Sequence, residues 1–257
     1  MTSSLLNTYD HYLYALLALA GTALGVIAIQ WALRCPRWAA WAGSLRGVVP
    51  PFINIIGVLF GLTLAFLAND TWSAHDRATN AVFREADALR SLMALSAALP
   101  EPVRGRVQAA VAGYGQASAA EWPLLARRQS GPLAQTRADS LLALLASPDI
   151  ASAAGGNVQA LMLRKASDIR DERDQRIGLT QTHVNPLKWL GMAFLGLLTL
   201  LSLAVVHVDN PRAAAVAMLL FSLAAAPTAA IVLIQGNPFE QPSAVSPAPI
   251  AAAVAGL

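Results

Sequence analysis

Residues 48–99 read VVPPFINIIGVLFGLTLAFLANDTWSAHDRATNAVFREADALRSLMALSAAL. From Val48 to Ala68 there is no charge, and Asn54 and Thr63 are the only polar side chains. From Asp70 to Leu99 charges of both signs appear, yet no Gly or Pro interrupts the chain. Val82, Ala86, Leu89 and Met93 recur at helical spacing, so the apolar stretch and the charged stretch read as one helix that starts in hydrocarbon and continues into water.

The rest of the chain fits that medium. Of 257 residues 56% are hydrophobic and 13% charged, with a mean hydropathy of +0.50, whereas soluble domains carry about 25% charged residues. The charge is also segregated: 13 of 18 basic and 12 of 15 acidic residues fall between Asn69 and Pro186. Three further apolar runs flank that segment, Tyr12–Leu33, Trp189–Val206 and Ala213–Ile234. The first, 22 residues without a charge, reaches roughly 33 Å as a helix, enough for a ~30 Å hydrocarbon core. No Lys or Arg precedes it and Asp10 stands where a signal peptide carries positive charge, so it reads as a retained anchor.

The expected fold is therefore an all-α membrane protein with four transmembrane helices in two hairpins. Residues 1–68 form the first hairpin (spans 12–33 and 48–68), 69–188 a helical extramembrane domain, 189–235 the second hairpin (spans 189–206 and 213–234), and 236–257 a Pro/Ala-rich tail that docks on the domain or on the membrane. Short loops, Arg34–Arg46 and His207–Arg212, join the spans of each hairpin. Pro227 is expected to kink the fourth span. In the middle segment, helices are expected from Asp70 to Leu99, from Val103 to near Glu121, from Leu133 to Ala146 and from Ile150 to Thr182, separated by Pro100-Glu-Pro102, Ser130-Gly-Pro132 and Ser147-Pro148. Arg34, Arg37 and Arg46 in the first loop assign the short loops to the cytoplasm by the positive-inside rule.

Composition excludes several functions. One cysteine, Cys35, allows no internal disulfide, and His11, His75, His183 and His207 form no HxH or HxxxH pair, so no metal or other cofactor is expected. No Gly-x-Ser-x-Gly elbow, P-loop or HExxH motif occurs, and an enzyme is not expected. No basic arm or aromatic-interleaved patch suits nucleic acid. No Asp, Glu, Lys, Arg or His falls within a span, which argues against proton-coupled transport but not against a channel.

Candidate functional residues cluster on the second span. Asn54, Gly57, Val58, Gly61, Ala65 and Asn69 follow one another along one side, and Gly57 and Gly61 form GxxxG. Such a small and polar stripe serves either close helix packing or the wall of a water-filled pore. In a pore, Ile53, Ile55, Ile56, Phe60 and Phe66 are candidates for an apolar constriction, or else face lipid and core. Asp70 and Asp76 would line its vestibule and attract cations, or else serve as interfacial solvation and ion pairing. Gly21 and Gly25 form a second GxxxG in the first span, read as a packing surface. Nine of the thirteen residues from Arg164 to Arg176 are charged with signs mixed, a salt-bridged helix face. Arg170, Arg173 and Arg176 recur every third position there, and Glu85 and Glu121 are candidate buried partners for two of them, with Arg170 and Arg173 the expected pair.

A family resemblance rests on the Gly/Leu-rich end of the second span running into Trp72, Glu85-Ala86-x-x-Leu89, Leu99-Pro100 with Arg104, Tyr114, Glu121-Trp122-Pro123 and Arg170-x-x-Arg173. Asn237-Pro238-Phe239-Glu240 and Val245-Ser246-Pro247-x-Pro249 complete it. In their order and spacing, over about Val48–Ala253, these residues resemble the bestrophin-like domain family of bacterial membrane proteins. The resemblance implies a multi-pass protein of the bacterial inner membrane whose partners are the lipid bilayer, further copies of itself in a pentamer, and small inorganic ions. It implies a pore lined by the second helix and a cytosolic helical domain, the opposite orientation to the arginine count. Bestrophins of animals carry a calcium-binding acidic cluster that has no counterpart here, so calcium gating is not implied, and their paired aromatic neck residues have no aligned equivalent. An oligomeric ion channel is the leading expectation. A non-conducting membrane scaffold or sensor, whose helical domain binds a partner, is the alternative.

Overall fold

The computed structural model describes residues 2–45, 47, 49–181, 186–241 and 243–255, without the side chains of residues 2–15, 17, 18, 186, 233 and 234. Arg46, Val48, Thr182 and His183 lie outside the described residues, as do the side chains at the start of the expected first span. Among the described residues there are eleven helices and no strand: α1 Thr2–Leu33, α2 Pro36–Ser44, α3 Val49–Ala97, α4 Val103–Ala120, α5 Trp122–Ala126, α6 Pro132–Leu145, α7 Pro148–Ala154, α8 Gly156–Gln181, α9 Pro186–Val206, α10 Pro211–Ile234 and α11 Ala248–Val254. Five of them (α2, α6, α7, α9 and α10) open on proline, where the missing N–H costs nothing and the fixed φ is already helical.

The chain divides into two compact units. One comprises Met1–Trp72 with His183–Gly236, the other Ser73–Thr182 with Asn237–Leu257. α3 contributes to both, and its 49 residues run without a break through the apolar and charged halves of the opening stretch.

In the first unit, α1 packs mainly on α10 and also touches α9. One apolar cluster joins Phe60, Leu67 and Ala68 of α3 to Met192 and Val232. Another joins Ile29 of α1 to Leu200, Ala204, Ala214 and Met218. α3, α9 from Leu187, and α10 as far as Val232 are each long and apolar enough to cross a bilayer. Leu19–Leu33 with α2 makes a further span if two helices bent by 96° are taken together. Large apolar side chains such as Leu190, Phe194, Leu220 and Leu223 are exposed, as expected of helices solvated by lipid.

The connection expected as a loop after the first span is largely helical. Extended backbone at Cys35 followed by Pro36 stops α1 and restarts the chain as α2. Trp38 and Trp41 of α2 stack edge to face at 6.0 Å, and both are exposed together with Trp31, the composition of an interfacial aromatic belt. α10 continues past Pro227.

The second unit has its own core, from Ala78, Val82, Leu89 and Leu92 of α3 through Val107, Val111 and Tyr114 of α4 to Leu141, Met162 and Ile169. Two elements depart from expectation. Trp122–Ala126 is a separate short helix, and the expected helix over Ile150–Thr182 is broken into α7 and α8. The break falls at Gly155, whose φ of +77° lies where only glycine rests without strain. The described residues of the 237–257 segment belong to this unit: Ile250 and Val254 of α11 join its core, and Val254 seats against Gly115 of α4.

Candidate functional site

The face of α3 is divided by the packing of the first unit. Phe60, Leu67 and Ala68 turn inward and are buried, while Thr71 satisfies its hydroxyl on the Leu67 carbonyl. A rotation of about 100° per residue sends the remainder outward in two strips. Asn54, Val58, Gly61, Ala65 and Asn69 form one, all exposed, with Gly57 half-buried at its edge. Ile55, Leu59, Leu62 and Phe66 form the other, also exposed. A methyl group added at Gly57 or Gly61 would meet nothing within 4 Å. Neither glycine is therefore used for close helix approach within this chain, and the small/polar strip is open along its length. Of the apolar residues considered for a constriction, Phe60 is taken up by the core, stacked on Phe221 at 5.2 Å.

At the charged end of this segment Asp70 accepts a hydrogen bond from Lys188 Nζ at 2.5 Å, so its charge is largely balanced by the base of α9. The Trp72 indole N–H donates to Gln235 Oε1 at 3.2 Å. Asp76, also on α3, is exposed.

The second unit holds two buried ion pairs, both anchored by α8. Arg176 is fully buried and clasps Glu85 of α3, Nε to Oε2 at 2.7 Å and Nη2 to Oε1 at 3.1 Å. Glu85 Oε1 also accepts from the Tyr114 hydroxyl at 2.8 Å and the Ser118 hydroxyl at 2.7 Å, both on α4. The Trp122 ring centroid lies 4.8 Å from the Arg176 guanidinium carbon, within cation–π range. Burial opposes the Arg176 charge, but Glu85 and the phenol oxygen beside it outweigh that and hold its pKa above the ordinary guanidinium value. Burial, with the Glu85 carboxylate adjacent, pushes the Tyr114 phenol well above its ordinary value.

One turn earlier, Arg173 meets Glu121, which sits at the α4–α5 corner, through a two-point contact of 2.7 and 3.2 Å. Its remaining donors reach Gln135 Oε1 at 2.6 Å and the Gly131 carbonyl at 3.2 Å, while Glu121 takes the Gly131 N–H at 2.6 Å. Arg170, the third arginine of the series, lies at the surface 3.5 Å from Asp139 of α6. Arg176, rather than Arg170, is the arginine that reaches Glu85.

The tail motifs belong to the same construction. The buried Asn237 amide donates to the Leu125 and Ala126 carbonyls, each at 3.1 Å, and its Oδ1 accepts the Phe239 N–H at 3.1 Å. It thereby completes the end of α5, supplying a donor to the Ala126 carbonyl and a second one to the Leu125 carbonyl, which the Arg128 N–H reaches at 3.0 Å. Phe239 stacks edge to face on Trp122 at 5.6 Å, and the Trp122 N–H donates to the Val245 carbonyl at 2.6 Å. Glu121-Trp122-Pro123 and Asn237-Pro238-Phe239 are thus two halves of one packing element, a partnership that their separation in sequence conceals.

Comparison with known proteins agrees with this arrangement. The fold matches a bacterial bestrophin homologue from Klebsiella pneumoniae carrying a tryptophan-to-alanine substitution, with a TM-score of 0.67 at 14% identity over 96% of this chain and 94% of that one. A leucine-to-threonine variant from Klebsiella pneumoniae gives 0.66 at 13% identity over 95% and 96%. A crystal structure of a membrane protein with a leucine-to-alanine substitution gives 0.68 at 15% identity over 91% and 94%. None of the curated proteins matches. The Bestrophin-like domain matches residues 20–250, nearly the whole length, and the chain belongs to the Bestrophin-like domain family.

Proposed function

We propose that the protein assembles as a homo-oligomeric ring in the bacterial inner membrane, five-membered as in bestrophins, and conducts small inorganic ions along an axis lined by α3. In this reading four segments of each subunit cross the bilayer: α1 with α2 beneath it, α3, α9 and α10. The observation that carries it is the divided surface of α3. One side is consumed by the core at Phe60, Leu67 and Ala68, while Asn54, Val58, Gly61, Ala65 and Asn69 remain exposed on a transmembrane segment. An amide such as Asn54 facing hydrocarbon is unfavourable, so a strip of this composition suits a water-filled axis better than lipid. Small side chains keep such an axis wide, and no charged residue interrupts it. Asp76 then contributes to the charge near the mouth, with Asp70 held by Lys188.

The test is ion flux and single-channel current from the protein reconstituted in planar bilayers. Gly61→Trp should cut conductance by an order of magnitude or more with the ring intact by native mass spectrometry. Asn54→Leu should raise the barrier at that level and lower conductance several-fold. Unaltered currents in both variants would remove α3 from the pore wall. An intact ring with no flux, purified with one stoichiometric partner, would instead make the protein a scaffold.

A further inference from the structure

The first unit has a half-open cleft of about 630 Å³ between α1, α9 and α10, with Phe60 of α3 at one wall. Gly21 and Gly25 of α1 and Gly196 of α9 line it, together with Trp189 and Phe221. Gly21 and Gly25, expected as a surface for close helix approach, are not closely approached. A methyl group on Gly21 would meet nothing within 4 Å, and one on Gly25 would only touch Leu200 at 3.9 Å. The missing side chains leave space instead of bringing helices together.

The cleft opens to the medium around the helices, and its size falls within the roughly 300–1,000 Å³ of sites that hold a small ligand. Among the described residues its lining carries no charged side chain and almost no polar one, which gives water few partners there. The walls are helices apolar enough to cross a membrane, and the medium they displace is alkyl chain. One end carries Trp189, next in sequence to Lys188, which is engaged with Asp70. That end reads as the membrane–water boundary, where an indole settles at headgroup level.

We infer that the cavity holds one acyl chain of a membrane phospholipid, bound between α1 and the α9–α10 hairpin with its headgroup towards Trp189. The occupant is an alkyl chain because the site offers dispersion contacts and no polar anchor beyond that end. It is a resident of each subunit because the floor is built from this chain's own helices, with Phe60 3.3 Å from where a Gly196 Cβ would stand. The inference needs only the membrane location and holds whether or not α3 lines a pore.

The full-length protein, extracted in mild detergent and stripped by repeated washing, is measured by native mass spectrometry for retained phospholipid. It is then scanned for thermal stability before and after adding back phosphatidylglycerol. Wild type should keep about one phospholipid per subunit and gain several degrees on re-addition. Gly21→Leu, which projects a side chain into the open space, should retain at least threefold less and fail to respond, with oligomer size unchanged. Ala193→Leu, from the α9 wall, serves as a second filling variant. If neither variant folds, wild type decides: a phospholipid with a photoreactive diazirine in its acyl chain should label Trp189 and Met192. Equal lipid retention in the variants would overturn the inference, as would a wild type that strips clean and is indifferent to lipid. Labelling confined to outward residues such as Leu219 and Leu223 would overturn it too. Loss of the oligomer in Gly21→Leu with lipid unchanged would give the space to a neighbouring subunit.

Discussion

Replacing Glu85 with leucine should be among the most damaging single changes in the second unit. The carboxylate is fully buried and takes four hydrogen bonds, two from Arg176 and one each from Tyr114 and Ser118. Its loss leaves a guanidinium in the core with Trp122 and a Ser118 hydroxyl as its remaining company. A guanidinium cannot shed its charge by losing a proton, so the cost falls at the upper part of the range for breaking a buried pair, about 3–5 kcal/mol. For a unit of this size that is a fall of roughly 10–15 °C in melting temperature. Arg176→Met should be milder, since Glu85 keeps its two hydroxyl donors. The double variant, Glu85→Leu with Arg176→Met, removes both charges and should recover most of the loss, because well-packed apolar replacements of buried pairs are often neutral. Thermal unfolding of detergent-solubilised protein measures the shift, and hydrogen exchange of α4 and α8 peptides assigns it to this unit. If Glu85→Leu moved the midpoint by only a degree or two, or the double variant lost the sum of the singles, the pairing argument would fail.

Tyr114 predicts an alkaline weakness. Its phenol is held protonated above the ordinary value of about 10, so the unfolded chain releases that proton first. Stability is then complete below pH ~10 and falls above it by up to about 1.4 kcal/mol per pH unit. Tyr114→Phe should flatten that fall in melting curves taken from pH 8 to 11, at the cost of one hydrogen bond at neutral pH. Gly115→Ala brings a methyl to 2.6 Å from Val254 Cγ1 and should destabilise by about 1–3 kcal/mol; adding Val254→Ala should restore much of it. Asn237→Ala takes the side-chain partner from the Ala126 carbonyl and the Phe239 N–H, while the Leu125 carbonyl keeps the Arg128 N–H, and should cost about 1–3 kcal/mol. Faster proteolysis within residues 237–255 is its direct readout.

How much was legible in the sequence follows from how local each signal is. α3 was plain because an uncharged run passes into helical spacing without a Gly or Pro between Asp70 and Leu99. α2 was hidden because Pro36 after Arg34-Cys35 reads as a turn, although the same proline can open a helix. The break at Gly155 was hidden for the opposite reason: one glycine in a helical pattern is usually tolerated. Three arginines at a spacing of three precess about 60° around a helix per step, so spacing alone does not say which face the interior. Only the positions of α3 and α6 turn Arg176 inward to Glu85 and leave Arg170 at the surface beside Asp139. The exposed strip on α3 was nominated by its small and polar residues, whereas its openness depends on Phe60 and Leu67 claiming the other side. The acyl-chain cavity was illegible, since GxxxG encodes a notch and not what fills it.

The way Asn237 and Val254 complete the second unit has a consequence for biosynthesis. Residues 73–182 leave the ribosome with Trp122, Leu125 and the Gly115 notch uncovered, and the segment that covers them follows only after α9 and α10. The domain therefore waits, partly assembled, through the insertion of a whole membrane hairpin. A nascent chain interrupted anywhere in that interval presents an open apolar groove to chaperones and proteases. Phe239, Val245, Ile250 and Val254 thus close the core of this unit only after α9 and α10 have been made.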